Sequence, residues 1–335
     1  MAEPGLTEII TTTLRNRRGV LVDNITNNNP VLRELKNSGN IEEEDGGRTL
    51  VEEHFFDENA TVMHYSGAQP LNLSQQTIMT AFEVNWKQFA GAVVIHGLEK
   101  RQNSGMLGKI KLLKNRLKGL EFSMENFYNA DLISDGTGDG GTQIGGIKYW
   151  ISTTPTSGVI GGIDRQYSIA SYARNLKFDT VNDSSGGAPG GTATTASLIR
   201  IYYDYMLREL TRGDDTAKVV LAGSSHYGYL QTALQPIQMS TESNSINAGY
   251  KKMMYQGVRV VNCGGVNFGG QTQIAVDRSY FLNTNFFKVR VHQDANMDTL
   301  PQTQSINQDA EAQIVVFMGN ATCPAPRLQG VMFDS

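Results

Sequence analysis

The sequence has little cysteine: Cys263 and Cys323 are the two cysteines among 335 residues. Two cysteines are too few for a disulfide framework, and they lack the paired spacing of a metal-binding motif. We therefore expect both to be reduced and buried, where they act as small apolar residues of the core.

Positive charge is also scarce. The chain has 29 Lys and Arg residues against 33 Asp and Glu residues, which gives a net charge of −4 and a pI of about 5.8. A protein that grips nucleic acid through its phosphates usually presents a basic surface, so tight nucleic-acid binding is not expected. A shell that encloses DNA without gripping it remains compatible with this charge.

Long apolar runs are missing as well. None reaches the roughly 18 residues that a membrane span needs. Residues 1–13 lack the basic segment followed by an apolar stretch that marks a secretory signal. We therefore expect no membrane partner, and we expect the chain to fold in a cytoplasm.

Motifs for catalysis or cofactor binding are weak. Residues 136–141 fit G-x-G-x-x-G, but a dinucleotide fingerprint needs a strand before it and a helix after it, and here a helix precedes and a loop follows. Read as a calcium loop, the stretch places Gly146 where an acidic twelfth ligand belongs. Ser224 and Ser225 precede His226, but a helix N-cap explains them better than a catalytic triad. The sequence therefore predicts no enzyme, no cofactor and no metal.

The first hundred residues are organised around strands. Residues 1–47 are polar, end in an acidic run and a Gly-Gly pair, and are predicted to be an arm ordered by what it touches. Residues 48–97 are rich in strand formers and predict a long hairpin. Because a two-stranded ribbon is barely stable alone in water, it must lie on something, and a neighbouring copy is a natural candidate. The side chains expected to make such inter-subunit contacts are Phe55, Phe56, Met63, Tyr65 and Phe82.

One long amphipathic helix is predicted over residues 106–133, because apolar residues recur there every three or four positions. Its basic side chains lie mostly off the apolar stripe; they are Lys109, Lys111, Lys114, Arg116 and Lys118. Such a run is more often a solvated helix face than a nucleic-acid site. If the protein encloses DNA, this basic face could look inward toward it.

The remainder of the chain mixes helices with strands. A Gly- and Thr-rich stretch over 135–195 leads to a predicted helix over 196–210 and a second helix that begins near Ser224. Short apolar strands are predicted at 218–222, 257–263, 277–282, 286–291, 312–318 and 329–333. The fold class predicted from this order is α+β.

This order of arm, hairpin, long helix, Gly-rich segment and β/α region resembles the Hong Kong 97-type capsid fold of tailed phages and herpesviruses. Short stretches also resemble a recurrent family of phage and prophage major capsid proteins. They are TTTLRNR at 11–17, NPVLRELK at 29–36, GGRT at 46–49, WKQ at 86–88, SDGTG at 134–138 and QIGG at 143–146. Each stretch alone is weakly specific, but their order and spacing cover nearly the whole chain.

The resemblance implies a role for each segment. The implied division is an N-terminal arm (1–47), an extended loop lying over a neighbouring subunit (48–97), a peripheral domain (98–144) with a spine helix (106–133), a mainly axial domain (145–300), and C-terminal strands that return to the peripheral domain (301–335).

The implied function is structural. Hexamers and pentamers of the chain would self-assemble into the icosahedral shell around the double-stranded DNA genome of a tailed phage. The expected partners are other copies of the chain, a portal protein, and separate scaffolding or decoration proteins; the DNA is touched only weakly. The expected location is the virion, after folding in the host cytoplasm. Some relatives cross-link through a lysine on the extended loop, but residues 65–76 contain none, so we expect non-covalent stabilisation.

Two alternatives stay open. An encapsulin-like nanocompartment would use the same fold to cage a cargo protein. From a different class, a small-molecule enzyme could use the β/α region and the Gly-rich loop. That enzyme would be a compact low oligomer with a pocket of perturbed ionisable groups.

Overall fold

The computed structural model describes residues 30–98, 106–184, 187–238, 253–263, 274–300, 303–304 and 310–335. Its longer helices are α1 (Pro30–Asn37), α2 (Met106–Ile133), α3 (Ile199–Leu210) and α4 (Ser224–Gln238). Short helical turns lie at Gly138–Gly141, Ile147–Trp150, Ser168–Ala173 and Pro326–Leu328. No helix in these ranges is both long enough and apolar enough to cross a membrane.

The strands alternate with these helices along the chain. They are β1 (Ile41–Glu44), β2 (Thr49–Phe55), β3 (Met79–Asn85), β4 (Lys87–His96), β5 (Val159–Ile160), β6 (Ile163–Asp164), β7 (Leu176–Asp179), β8 (Val219–Ala222), β9 (Met253–Tyr255), β10 (Val258–Asn262), β11 (Arg278–Leu282), β12 (Lys288–Thr299), β13 (Thr303–Gln304), β14 (Ala310–Thr322) and β15 (Gly330–Phe333).

The first sheet has the order β1-β12-β14-β13, with β4 also paired to β14. β4 runs antiparallel to β14 through ten residue pairs. We predicted β4 as part of the hairpin excursion, and this placement is corrected: the sequence shows a strand-forming stretch but not its partner. β12 also belongs here, although it falls inside the segment 145–300 predicted as mainly axial.

Helix α2 packs across this sheet, which confirms the helix predicted from the periodicity. Its buried stripe is Leu117, Leu120, Met124, Tyr128 and Leu132, at spacings of three and four residues. Gly91 of β4 lets the helix approach closely, because a Cβ atom there would lie 2.4 Å from the Leu120 side chain. With 28 residues, the helix is about 42 Å long.

The end of the predicted arm is built into the core. Pro30 begins α1 at a position where its missing N–H costs nothing, and Val31, Leu32 and Leu35 are almost completely buried. β1 then pairs in parallel with β12. Residues 30–44 are therefore an integral part of the fold and not a segment with little core; residues 1–29 of the predicted arm lie outside the described residues.

The second sheet has six strands in the order β7-β15-β11-β8-β10-β9. Alternate residues of β8 enter two cores: Val219 and Leu221 join the core shared with the first sheet, and Val220 and Ala222 face α3 and α4. β15 is inserted between β7 and β11. The prediction that both terminal strands join the first sheet is therefore wrong for β15. A strand that is buried on both faces fits the interior of either sheet, so its sequence does not indicate which sheet it joins.

β2 and β3 form a separate two-stranded ribbon, paired from Thr49 and Asn85 at the base to Phe55 and Met79 near the tip. Within the described segment 56–78 there is neither helix nor strand. The extended excursion is thus 49–85, shorter than the predicted 48–97, because its last twelve residues belong largely to β4.

Candidate assembly surface

The base of the ribbon is anchored in the core. Phe82 of β3 is completely buried. Its ring meets the edge of Trp150 with centroids 5.7 Å apart and lies 6.2 Å from the ring of Tyr172. Gly161 leaves just enough room, because a Cβ atom there would lie 2.8 Å from the Cβ of Phe82. The prediction that Phe82 contacts a neighbouring subunit is therefore corrected. The alternation of apolar and polar residues along a strand distinguishes its two faces, but it does not indicate which face packs against the same chain.

A charged cluster also fixes the ribbon to the first sheet. Arg290 of β12 donates from Nε to Glu52 of β2 at 2.7 Å and pairs with Glu44 of β1. Glu52 Oε1 also accepts a hydrogen bond of 2.8 Å from Thr322. Burial raises the pKa of Glu52 above its ordinary value. These four residues join three segments that are distant in sequence, and sequence reasoning missed them because no local pattern links them.

The tip of the ribbon, residues 55–73, is apolar and exposed. Leu73 is 90% exposed, Val62 84% and Phe55 65%. The side-chain hydrogen bonds described within this segment are local; for example, Asn59 Oδ1 accepts from the Thr61 backbone N–H and hydroxyl. Monomeric proteins rarely expose a run of large apolar side chains, and such a run marks an interaction surface.

The other predicted contact residues lie along this tip. Met63 and Tyr65 are exposed together with Phe55, as an inter-subunit role requires. Phe56 is half-buried, and its ring lies 5.5 Å from that of Tyr172 in the same chain. The structure thus brings three of the five predicted side chains onto one open surface, and places Phe56 at its margin.

The basic residues of α2 divide into two groups. Lys109, Lys111 and Lys114 have side chains outside the described part of the structure. Arg116 donates a hydrogen bond to the Val94 carbonyl of β4, so it contributes to packing of the helix on the sheet. Lys118 is exposed and lies over the ring of Phe122, 5.7 Å from its centroid. Among the described side chains of the predicted basic face, Lys118 is therefore the one that is exposed to solvent.

A buried polar cluster replaces the serine–histidine pair considered from sequence. Nδ1 of His226 lies 2.9 Å from Oγ of Ser279, and its Nε2 lies 3.5 Å from Oδ1 of Asp334. Ser279 and His226 are completely buried. The cluster has the residue types of a catalytic triad, but a substrate cannot reach the Ser279 hydroxyl in this structure, so its role here is to connect α4, β11 and the chain end.

The Gly-rich loop after α2 is a compact turn. Asp135 bridges to Gly145, and its carboxylate accepts from the backbone and hydroxyl of Thr137. Asp139 and Gly140 adopt positive φ, which suits a tight turn rather than a phosphate-binding helix start. Among the described residues, no group of three His, Cys, Asp or Glu side chains is placed to hold a metal ion.

Several solved capsid structures have the same fold. The cyanophage A-1(L) capsid asymmetric unit matches with a TM-score of 0.61 at 12% identity, covering 88% of this chain and 90% of that one. The capsid of a native GTA particle matches with a TM-score of 0.54 at 10% identity, covering 90% and 89%. The mature capsid of bacteriophage PhiM1 matches with a TM-score of 0.50 at 10% identity, covering 89% and 86%. No protein-family model and no curated protein matches the sequence.

Proposed function

Because the chain has the α+β fold of Hong Kong 97-type capsid proteins, we propose that it is the structural subunit of a tailed-phage shell. In this proposal, hexamers and pentamers of the chain close an icosahedral shell around a double-stranded DNA genome. A portal protein and separate scaffolding or decoration proteins complete the virion. The DNA is enclosed with weak, non-specific contact, in keeping with a net charge of −4.

The observation that carries this proposal is the contrast between the two ends of the ribbon. Its base is immobilised by Phe82 and by the Glu52–Arg290 pair, whereas its tip presents Val62 and Leu73 to solvent. A ribbon with a firm base and an apolar tip is suited to lie across a second copy of the chain. Burial of apolar surface contributes about 25 cal/mol per Å², so many repeated tip contacts would stabilise a closed shell.

The described contacts also favour non-covalent assembly. The exposed tip contains no lysine between Tyr65 and Gln76. Lys87, just beyond the ribbon, donates to the Gly141 carbonyl of its own chain and is thereby held inside the fold. Boiling assembled shells in SDS should therefore release monomers; a ladder of larger species would contradict this part of the proposal.

The decisive experiment is negative-stain electron microscopy of the purified protein together with analytical sedimentation. Closed shells, or curved sheets of hexamers and pentamers, would support a capsid subunit. Nucleic acid inside the shells would identify a phage capsid, and a co-purified protein cargo would identify a nanocompartment. A uniform small oligomer that does not assemble, even with a candidate scaffold protein present, would refute the proposal.

A further inference from the structure

A cavity lies where the loop after α2, the β5–β6 hairpin and strand β11 meet. Its volume is about 390 Å³. Three of its lining side chains are basic, namely Lys148, Arg165 and Arg278. Asp135 is the one acidic residue described on its wall, and that residue is exposed and already accepts hydrogen bonds from Thr137. The cavity therefore concentrates positive charge in a protein that is acidic overall.

Arg165 is the central group. It is 5% exposed, yet its Nε and Nη1 atoms have no hydrogen-bond partner within the described structure. Its backbone is fixed on both sides, because its N–H donates to the Gly158 carbonyl at 3.0 Å and its carbonyl accepts from Arg174 at 2.8 Å. Burying an unpaired guanidinium is costly, and such a group is normally matched by an anion.

The contrast with Arg174 shows that arginines in this protein do not generally lack hydrogen-bond partners. The guanidinium of Arg174 donates to the carbonyls of Arg165, Gln166 and Tyr167 at distances from 2.8 to 3.1 Å. Arg174 is therefore consumed in holding the backbone around the cavity. Arg165 lines the adjoining cavity, and two of its buried guanidinium nitrogens, Nε and Nη1, donate to no described group.

Two further cations face the same space. Arg278 also has a buried Nε without a partner in the described ranges, and its Nη1 lies 3.5 Å from the Tyr280 hydroxyl. Burial and the charge of Arg278 lower the pKa of Lys148 below its ordinary value. Burial likewise lowers the pKa of Arg165. Mutual repulsion of three cations would be relieved by one bound anion.

We propose that this cavity is an oxyanion site in which Arg165, Lys148 and Arg278 bind a phosphate, a sulfate or a carboxylate. The planar fork of an arginine matches the paired oxygens of these groups. The oxyanion has two conceivable sources, inorganic phosphate from solution or an acidic side chain of a second copy of this chain. Both use the same donors, and the experiment separates them.

The first measurement is the melting temperature of the full-length protein in a phosphate titration at constant ionic strength, with chloride as the balancing ion. Phosphate should raise the melting temperature of the wild type by several degrees and in a saturable manner. Arg165→Gln should weaken the apparent affinity by at least about tenfold, the loss typical of one charge-assisted hydrogen bond. Arg208→Gln serves as the control, because Arg208 is exposed and does not line the cavity.

The proposal is overturned if phosphate does not stabilise the wild type, or if Arg165→Gln responds as the wild type does. If Arg165→Gln does not fold, Lys148→Gln is measured instead. A smaller rise in its melting temperature with phosphate supports the site, and a rise equal to that of the wild type overturns it. Assembly kinetics then identify the source. If a neighbour's carboxylate occupies the site, phosphate should slow assembly, whereas a free ion should leave it unchanged or faster. The melting measurement does not require assembly, so its result is independent of the proposed shell function.

Discussion

Asp334 Oδ1 lies 3.5 Å from Nε2 of His226, a side chain that is completely buried. The same carboxylate accepts hydrogen bonds from the hydroxyls of Thr180 and Thr194 at 2.7 and 2.5 Å, and from the Thr194 backbone N–H at 2.9 Å. Through this one side chain the end of the chain is fastened to α4 and to the loops around β7. The contact holds β15 in the second sheet, where the sequence did not place it.

Replacing Asp334 by Asn should destabilise the subunit by about 2–3 kcal/mol at pH 7, because several charge-assisted hydrogen bonds are weakened together. Equilibrium urea unfolding of the unassembled subunit measures this loss. Asp214→Asn is the control, since Asp214 is exposed in a turn and its replacement should change stability by less than about 0.5 kcal/mol.

The pH dependence of Asp334→Asn should also differ from that of the wild type. Burial alone would raise the pKa of Asp334, but the neighbouring His226 and the hydrogen bonds from Thr180 and Thr194 outweigh it and hold the pKa below the ordinary value of 3.8. Since the folded-state pKa is the lower one, the carboxylate stabilises the fold above about pH 4, and this contribution is lost as the pH falls below that value. The stability gap between variant and wild type should therefore shrink between pH 5 and pH 3; an unchanged gap would refute the role of the charge.

The Glu52–Arg290 pair allows a second prediction. Arg290→Met removes the cation that pairs with both Glu52 and Glu44 at the junction of β1, β2 and β12, and should cost about 2–4 kcal/mol in unfolding free energy. Lys177→Met is the matched control: it removes a more exposed ion pair with Asp183, at 3.6 Å, and should cost less than about 1 kcal/mol. Equal losses in the two variants would contradict a special role for Arg290.

Acid should partly rescue Arg290→Met. Because burial raises the folded-state pKa of Glu52, the folded protein binds a proton at this site more tightly than the unfolded chain does. The contribution of Glu52 to stability therefore increases as the pH falls through the raised pKa. This increase is larger once the positive charge of Arg290 is removed. The variant should recover relative to the wild type as the pH falls from 7 toward the ordinary glutamate pKa of 4.5 in chemical denaturation, whereas Lys177→Met should not.

Local patterns explain which parts of the fold were predictable. Helix α2 was predicted with the observed bounds because its stripe from Leu117 to Leu132 depends on spacing along one segment. Strands β8, β10 and β11 were predicted to within a residue or two for the same reason, since each is a short apolar run. The α+β class followed from the order of these elements, and the capsid fold was implied by the resemblance of that order and of several short sequence stretches to phage capsid proteins.

Pairing between distant segments was not predictable in this way. β4 and β15 read as strands, but nothing in Lys87–His96 or Gly330–Phe333 specifies which sheet receives them. The candidate sites depend on the same non-local information. The cavity around Arg165 and the contact of His226 with Asp334 each join segments that are distant in sequence, so no spacing in the sequence indicates them.

Two phenylalanines of one ribbon should separate folding from assembly. Phe82→Ala removes a completely buried ring that packs on Trp150, and should cost about 3–5 kcal/mol with a change in tryptophan fluorescence. Phe55→Ala removes a ring that is 65% exposed and should leave stability within about 0.5 kcal/mol. If Phe55 contacts a neighbour, its variant should instead raise the protein concentration needed for assembly. A stable Phe82→Ala protein would contradict the anchoring of the ribbon base.

The apolar tip itself provides the last prediction. The double substitution Val62→Ser and Leu73→Ser removes the two most exposed apolar side chains of the ribbon, and so should not change the unfolding free energy of the subunit. If the tip lies on a second copy, each contact loses the burial of two aliphatic groups, so the critical concentration for shell formation should rise by at least about tenfold. Ile169→Ser is the control, because Ile169 is 73% exposed but lies outside the ribbon. Sedimentation across a concentration series measures the critical concentration for assembly. Normal assembly of the double variant would show that the tip does not bind a neighbour. Equal impairment of assembly by Ile169→Ser would show that loss of any exposed apolar surface, rather than of the tip, limits assembly.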